Sequence, residues 1–278
     1  VKAPAAESRA LTFARRVATS TVLIGGIAAV LFRGNVFVFS VVVTVFSGLA
    51  LYEFLTLLRN DAGIPVSMVA GMLMGVAIPI VVYLEYGYTQ SGEILFLVFG
   101  CLFLFVLQFF RSTKQSLIGI ALTLFGILYV TWFLSFLIKI RFLYGGVAWV
   151  AYLIAVTKAA DIGAYCVGTL VGRHPLIPHI SPKKSVEGLF GGFAFSVLAS
   201  LAIRPHLPIV FSIPHAVILG FFIAMLGQIG DLSESLMKRF CNAKDSGGLL
   251  PGMGGVMDAV DSVLFTAPIF YFHLKIYL

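Results

Sequence analysis

Apolar residues run along this chain in long, nearly uninterrupted blocks, not in the alternation of a sheet face. Nine blocks are predicted, roughly 17–32, 36–58, 64–84, 94–110, 116–138, 147–167, 188–203, 214–230 and 262–278. Most approach the ~17 to 25 residues that a helix needs to cross a hydrocarbon core. Helices close their own backbone hydrogen bonds in lipid, whereas barrel strands would be shorter and would alternate. The expected fold class is therefore all-α, a polytopic integral membrane protein with about nine transmembrane helices. The first block follows Arg9, Arg15 and Arg16 and has no small-residue cleavage site before Arg33. It is expected to be a retained span and not a signal peptide.

Composition agrees with the pattern. The 278 residues are 60% hydrophobic and 11% charged, with a mean hydropathy of +1.03. Cys101, Cys166 and Cys241 have no metal-ligand spacing and imply neither a disulfide framework nor a zinc site. The five histidines form no ligand pattern and read as interfacial or packing residues. The net charge of +7 is informative by position. One set of alternate loops carries Lys2, Arg9, Arg15, Arg16, Arg59, Arg111, Lys114, Arg173, Lys183, Lys184, Lys238, Arg239 and Lys244, and the other carries Arg33, Lys139, Arg141, Arg204 and Lys275. The positive-inside rule then predicts a cytoplasmic N-terminus and an external C-terminus for a cell (inner or plasma) membrane protein.

The chain is expected to form a single membrane domain, 1–278, whose polar residues divide it into an N-terminal scaffold, 1–145, and a C-terminal half with the chemistry, 146–278. In the scaffold, Glu53, Glu85 and Glu93 lie near span ends and are expected to reach water. Gly71 and Gly75 suit close helix packing. The C-terminal half holds seven of the 12 acidic residues. Within it, residues 231–261 carry Asp231, Glu234, Lys238, Arg239, Lys244, Asp245, Asp258 and Asp261, a density of charge that is costly beside a bilayer.

On a helix, Asp231, Ser235 and Lys238 share a face at i, i+4 and i+7, and Glu234 is within one turn. Asp258 and Asp261 form a second pair at i and i+3. Asp231, Asp258 and Asp261 are thus candidate ligands for one or two Mg²⁺ ions, which take hard oxygen donors and substrate phosphate. A solvated helix end and an N-cap at Asp258 are the plainer readings. Between the two pairs, the glycine-rich run 247–255, with Gly254 and Gly255, would let backbone amides approach a phosphate, although it is not a P-loop. Upstream, Lys158 and Asp161 are one turn apart and suited to neutralise each other. Ser181-Pro-Lys183-Lys184 supplies bases that read either as cytoplasmic anchors or as a phosphate clamp.

These residues carry a resemblance. Ser235, Lys238, Arg239, Lys244, Asp245, Pro251, Gly254, Gly255, Asp258 and Asp261 stand in register with a signature that runs Ser-x-x-Lys-Arg, four residues, Lys-Asp, then Pro-x-His-Gly-Gly and Asp-Arg-x-Asp. The segment resembles the phosphatidate cytidylyltransferases, the CDP-diacylglycerol synthases. Asp161-x-Gly-Ala-Tyr and Ser181-Pro-Lys-Lys are similar to that family too. Two positions depart: Met253 stands in place of His and Ala259 in place of Arg.

The resemblance implies a Mg²⁺-dependent nucleotidyltransferase of phospholipid biosynthesis, acting on CTP and phosphatidic acid in the membrane, with the site facing the cytoplasm. It implies catalytic roles for Asp231, Lys238, Arg239, Asp258 and Asp261. Substrate contacts fall to Asp161, Lys183, Lys184, Ser235, Lys238, Arg239, Lys244, Asp245, Gly254 and Gly255. No nucleic-acid partner is expected, and small-residue faces leave a helix-mediated homodimer open. The rivals are a CTP-dependent lipid kinase and an anionic-solute transporter with charged half-helix ends.

Overall fold

A computed structural model describes residues 9–87, 92–109, 115–252 and 254–277. Lys2, Arg111, Lys114 and Met253 lie outside the described residues, as do the side chains of Arg9, Arg15 and Arg16. The chain folds as helices α1 (Arg9–Arg33), α2 (Val36–Asn60), α3 (Met68–Gly87), α4 (Gly92–Phe109), α5 (Ser116–Gly126), α6 (Phe133–Phe142), α7 (Gly146–Val171), α8 (Val186–Ile203), α9 (Ile213–Phe240) and α10 (Val256–Tyr277). A π-helical segment, Ile127–Trp132, joins α5 to α6, so these form one continuous rod. Among the described residues seven helices, counting that rod as one, are long and apolar enough to cross a membrane, and Thr19–Arg33 and Gly92–Leu107 are shorter apolar helices. The chain is an all-α polytopic membrane protein, and nine apolar helices stand where nine blocks were read.

Among the described residues the departure from all-α is small. Pro175–Ile177 and Ser181–Ser185 pair as an antiparallel hairpin, β1 and β2, between α7 and α8. Pro182 sits on this two-stranded edge, where no further ladder bond is required of it. Ser185 then caps α8 by accepting from the Gly188 amide at 3.1 Å.

Packing follows membrane chemistry, with small residues and hydroxyls between helices. A Cβ added at Gly75 would run into the Leu51 side chain, and one at Gly71 would press on Thr123 and Leu55. The predicted close packing of α3 is therefore present. α7, α8 and α9 are joined by Ser196, whose hydroxyl donates to the Gly220 carbonyl at 2.8 Å, and by Ser200, which donates to Ala216 at 2.6 Å. Trp149, Tyr152, Phe211 and Phe270 fill the core of this half.

Two expectations are corrected. Glu53 and Glu93 do not reach water: they are 3% and 8% exposed. Glu93 pairs with Lys139 at 2.5 Å and accepts from the Trp132 indole, so a neighbouring helix supplies the charge that solvent was expected to screen. His215 and His273 bring their Nε2 atoms to 3.0 Å, stacked among Phe211 and Tyr277. They are packing residues as expected, but a pair, which their separation of 58 positions concealed.

Candidate active site

α9 does not stop where its apolar run ends. It continues as a helix to Phe240, which turns Asp231, Glu234, Ser235 and Lys238 towards α10. Gly230 permits the approach, because a Cβ there would strike the Asp261 carbonyl. As a result the carboxylate oxygens of Asp231, Glu234 and Asp261 lie within 4.8 Å of one another. Glu234 is fully buried and Asp261 nearly so. Glu234 Oε2 accepts from Lys238 Nζ at 3.0 Å, while its Oε1 is buried without a hydrogen-bond partner. Three acids this close repel one another strongly in a medium of low polarity. An all-oxygen donor set with an unsatisfied buried oxygen fits a hard divalent cation.

Bases ring the acids. Lys184, carried in from β2, meets Asp231 at 2.6 Å. Lys238 lies between Glu234 and Asp258, 2.5 Å from Asp258 Oδ1. Lys158 on α7 donates to Asp161 at 3.0 Å, to the Ala259 carbonyl at 3.2 Å and to Ser262 at 3.0 Å, so the expected Lys158–Asp161 pair also ties α7 to α10. Arg239 donates to the Ile180 and Ala243 carbonyls, holding the hairpin turn against the end of α9. Ser235 is buried, whereas Lys183, Lys244 and Asp245 are exposed around the rim.

The acid set differs in one member from the set read in the sequence. Glu234 joins Asp231 and Asp261, and Asp258 stands apart on the far side of the Lys238 ammonium. Asp258 Oδ2 accepts from the Gly255 amide at 2.7 Å, the Ser246 amide at 3.0 Å and the Ser246 hydroxyl at 2.8 Å, so from the first turn of α10 it reaches back to the loop as the acid of a capping box does. The reason is geometric: residues at i and i+3 share a broad face, but only Asp261 is opposite Gly230. The two glycine positions also differ from expectation. The Gly254 amide donates to Leu250 and the Gly255 amide to Asp258, so both amides are engaged inside the loop. At Gly254, φ is +102°, a backbone conformation that side chains disfavour.

Glu53 is the residue that the sequence did not point to. It enters from α2 and accepts from the Met257 amide at 2.9 Å and the Ser246 hydroxyl at 3.3 Å. A Cβ at Gly247 or Gly255 would collide with its carboxylate. Those glycines make room for a side chain here, and no local pattern could have paired residue 53 with residue 257.

Beside the acids, the π-helical segment and α6 leave a cavity of about 470 Å³ against α9 and α10. Phe125, Tyr129, Phe133, Leu236, Met237 and Phe265 line it. The Tyr129 hydroxyl is buried without a hydrogen-bond partner. An apolar recess thus adjoins a carboxylate cluster and its lysines.

The cytidylyltransferase family model matches residues 14–277. The chain belongs to the cytidylyltransferase family. A phosphatidate cytidylyltransferase of Bacillus subtilis (strain 168) is 41% identical over 134 residues, 48% of this chain and 49% of the relative. One from Mycobacterium tuberculosis (strain ATCC 25618 / H37Rv) is 37% identical over 157 residues, 56% of this chain and 47% of the relative. A protein of Escherichia coli (strain K12) named as uncharacterised, YnbB, is 36% identical over 167 residues, 60% of this chain and 55% of the relative. The chain spans about half the length of these curated relatives. As a cytidylyltransferase-family chain it carries the family match across both halves, the Glu53-bearing scaffold included.

Proposed function

We propose that this chain is a phosphatidate cytidylyltransferase, transferring the cytidylyl group of CTP to phosphatidic acid to give CDP-diacylglycerol and pyrophosphate. The observation that carries the reading is the cluster of Asp231, Glu234 and Asp261, set among Lys184 and Lys238 and beside an apolar recess. Family membership supports it, as do the names of the relatives from Bacillus subtilis and Mycobacterium tuberculosis.

The chemistry asks for little acid–base help. The lipid phosphate is ionised, and one of its oxygens attacks the α-phosphorus of CTP. The bond from that phosphorus to the oxygen leading to the β-phosphate breaks, and pyrophosphate departs with the electron pair. The barrier is the meeting of two anions, which fixed positive charge lowers. Lys184 and Lys238 are placed to give up their carboxylate partners in part and take phosphate oxygens. Lys183, Arg239 and Lys244 extend the positive rim outward. Lys158 holds Asp161 and α10 in register. Asp231, Glu234 and Asp261 are the residues suited to hold Mg²⁺, which when bound would screen the phosphates and stabilise the leaving pyrophosphate. Tyr129 and its neighbours offer apolar surface to an acyl chain arriving sideways from the bilayer. The excess of lysine and arginine in the loops at this end supports a cytoplasmic site.

The test is the purified chain with radiolabelled CTP and phosphatidic acid. Labelled CDP-diacylglycerol that requires Mg²⁺ and disappears with EDTA is expected. CDP as the product instead would mean γ-phosphoryl transfer and would overturn the proposal. Uptake of an anion into vesicles without turnover of CTP would overturn it as well.

A further inference from the structure

We infer that Glu53, in the scaffold half, is a positioning residue for the transfer reaction, clamping the loop between α9 and α10 so that Asp258 and Lys238 are presented correctly. The inference rests on the proposed function and adds to it a residue outside the signature segments. Glu53 Oε2 takes the Met257 amide at 2.9 Å and shares the Ser246 hydroxyl with Asp258, at 3.3 and 2.8 Å respectively. Asp258 in turn holds Lys238 at 2.5 Å, and Lys238 reaches Glu234 in the acid cluster at 3.0 Å. A continuous run of hydrogen bonds therefore joins α2 to the candidate site.

Burial makes this more than a tether. Glu53 is 3% exposed, its Oε1 has no hydrogen-bond partner, and among the described residues no lysine, arginine or histidine pairs with it. A carboxylate held this way costs stability unless amide and hydroxyl donors and the positive end of α10 support it. That support exists only while the loop keeps its shape. Gly247 and Gly255 leave the space that the carboxylate fills, so loop and side chain fit in a single arrangement. The Glu53 side chain thereby selects the loop conformation in which Lys238 is aimed at the acids.

The experiment uses the full chain in detergent or nanodiscs. It measures kcat and KM for CTP in CDP-diacylglycerol formation, and amide hydrogen exchange across residues 245–257. E53L keeps the bulk and removes the acceptors; kcat is expected to fall about ten- to hundredfold, as small misplacements of reacting groups do. Exchange in the loop should accelerate about tenfold or more as its opening becomes easier. E53Q keeps an acceptor for Met257 and Ser246 and should stay within about threefold of wild type on both readouts, since neutral hydrogen bonds retain much of the geometry. E53L with wild-type kcat would overturn the inference, and so would equal losses in E53L and E53Q with the loop still protected. Should E53L fail to fold, S246A replaces it, expected to lower kcat while the Glu53–Met257 bond persists; unchanged kcat there also overturns the inference. A wild-type chain that makes no CDP-diacylglycerol would sink the proposed function instead, and the exchange comparison would still report on the clamp.

Discussion

At the scale of single residues, the two aspartates of α10 separate into different surroundings. Asp261 belongs with Asp231 and Glu234, and Asp258 belongs with Lys238 and the loop amides. Asp261→Asn is therefore expected to raise the Mg²⁺ concentration for half-maximal activity, measured by titrating metal at saturating CTP. Asp258→Asn should leave that concentration nearly unchanged and raise KM for CTP instead. Asp231→Asn should cost about a hundredfold or more in turnover, the scale of removing a principal charge-stabilising group, with helical circular dichroism intact. Much of this site was legible in the chain. Asp231, Ser235 and Lys238 fell on one face by helical spacing, and Asp261 by its place before an apolar run. Glu234 was visible as a neighbour but not as a member of the cluster, because its partner in space depends on Gly230 letting α10 close in. Glu53 read as a charge near water, since an isolated acid at a span end carries no sign of a donor 204 positions away. Cys241 was neutral in the sequence reading; burial, and secondarily the nearby Asp61, push its thiol above the ordinary range, so thiol reagents should act on it slowly.

Among the elements, apolar length and small residues predicted helix positions well, because lipid leaves the backbone few alternatives. The turn chemistry was harder to read. Ser181-Pro-Lys-Lys forms a strand, and it does so through pairing with Pro175–Ile177 that no alternation announced. The π-helical segment Ile127–Trp132 was equally hidden within an even apolar run. Such segments often sit at functional sites, and this one brings Tyr129 and Trp132 to the recess. The α2–α3 contact offers a direct test of packing. Gly75→Val would force a side chain into Leu51, and a loss of about 1–3 kcal/mol is expected, the usual cost of overpacking. Thermal unfolding in detergent, followed by tryptophan fluorescence, would register it; an unchanged midpoint would mean that α2 and α3 part more easily than their contact implies.

Over the whole molecule, successive spans alternate in direction, the α5–α6 rod counting as one, so the acid cluster, the hairpin and the loop between α9 and α10 gather at one end. The His215–His273 pair and the Glu93–Lys139 pair lie towards the other. The positive-inside rule would orient this arrangement with the candidate site inward, an expectation open to direct test. Single cysteines introduced at Lys183 and Tyr144 into a cysteine-free chain would report it, since both positions are exposed. In intact cells an impermeant maleimide should label the Tyr144→Cys chain and spare Lys183→Cys; the reverse pattern would invert the topology.

The hydrogen bond from Met257 to Glu53 spans most of the chain in sequence and almost none of it in space. During synthesis α2 enters the bilayer long before α10 is made, so its buried carboxylate waits there without its eventual donors. Membrane insertion must tolerate that interval, before the Met257 amide and the Ser246 hydroxyl are there to meet it. Only when the last helix arrives does the carboxylate find its amide, and the acids of α9 acquire Asp261 in the same event. The last helix to be made thus completes two distant features of the fold at once, the buried acceptor on α2 and the three-acid cluster at the end of α9.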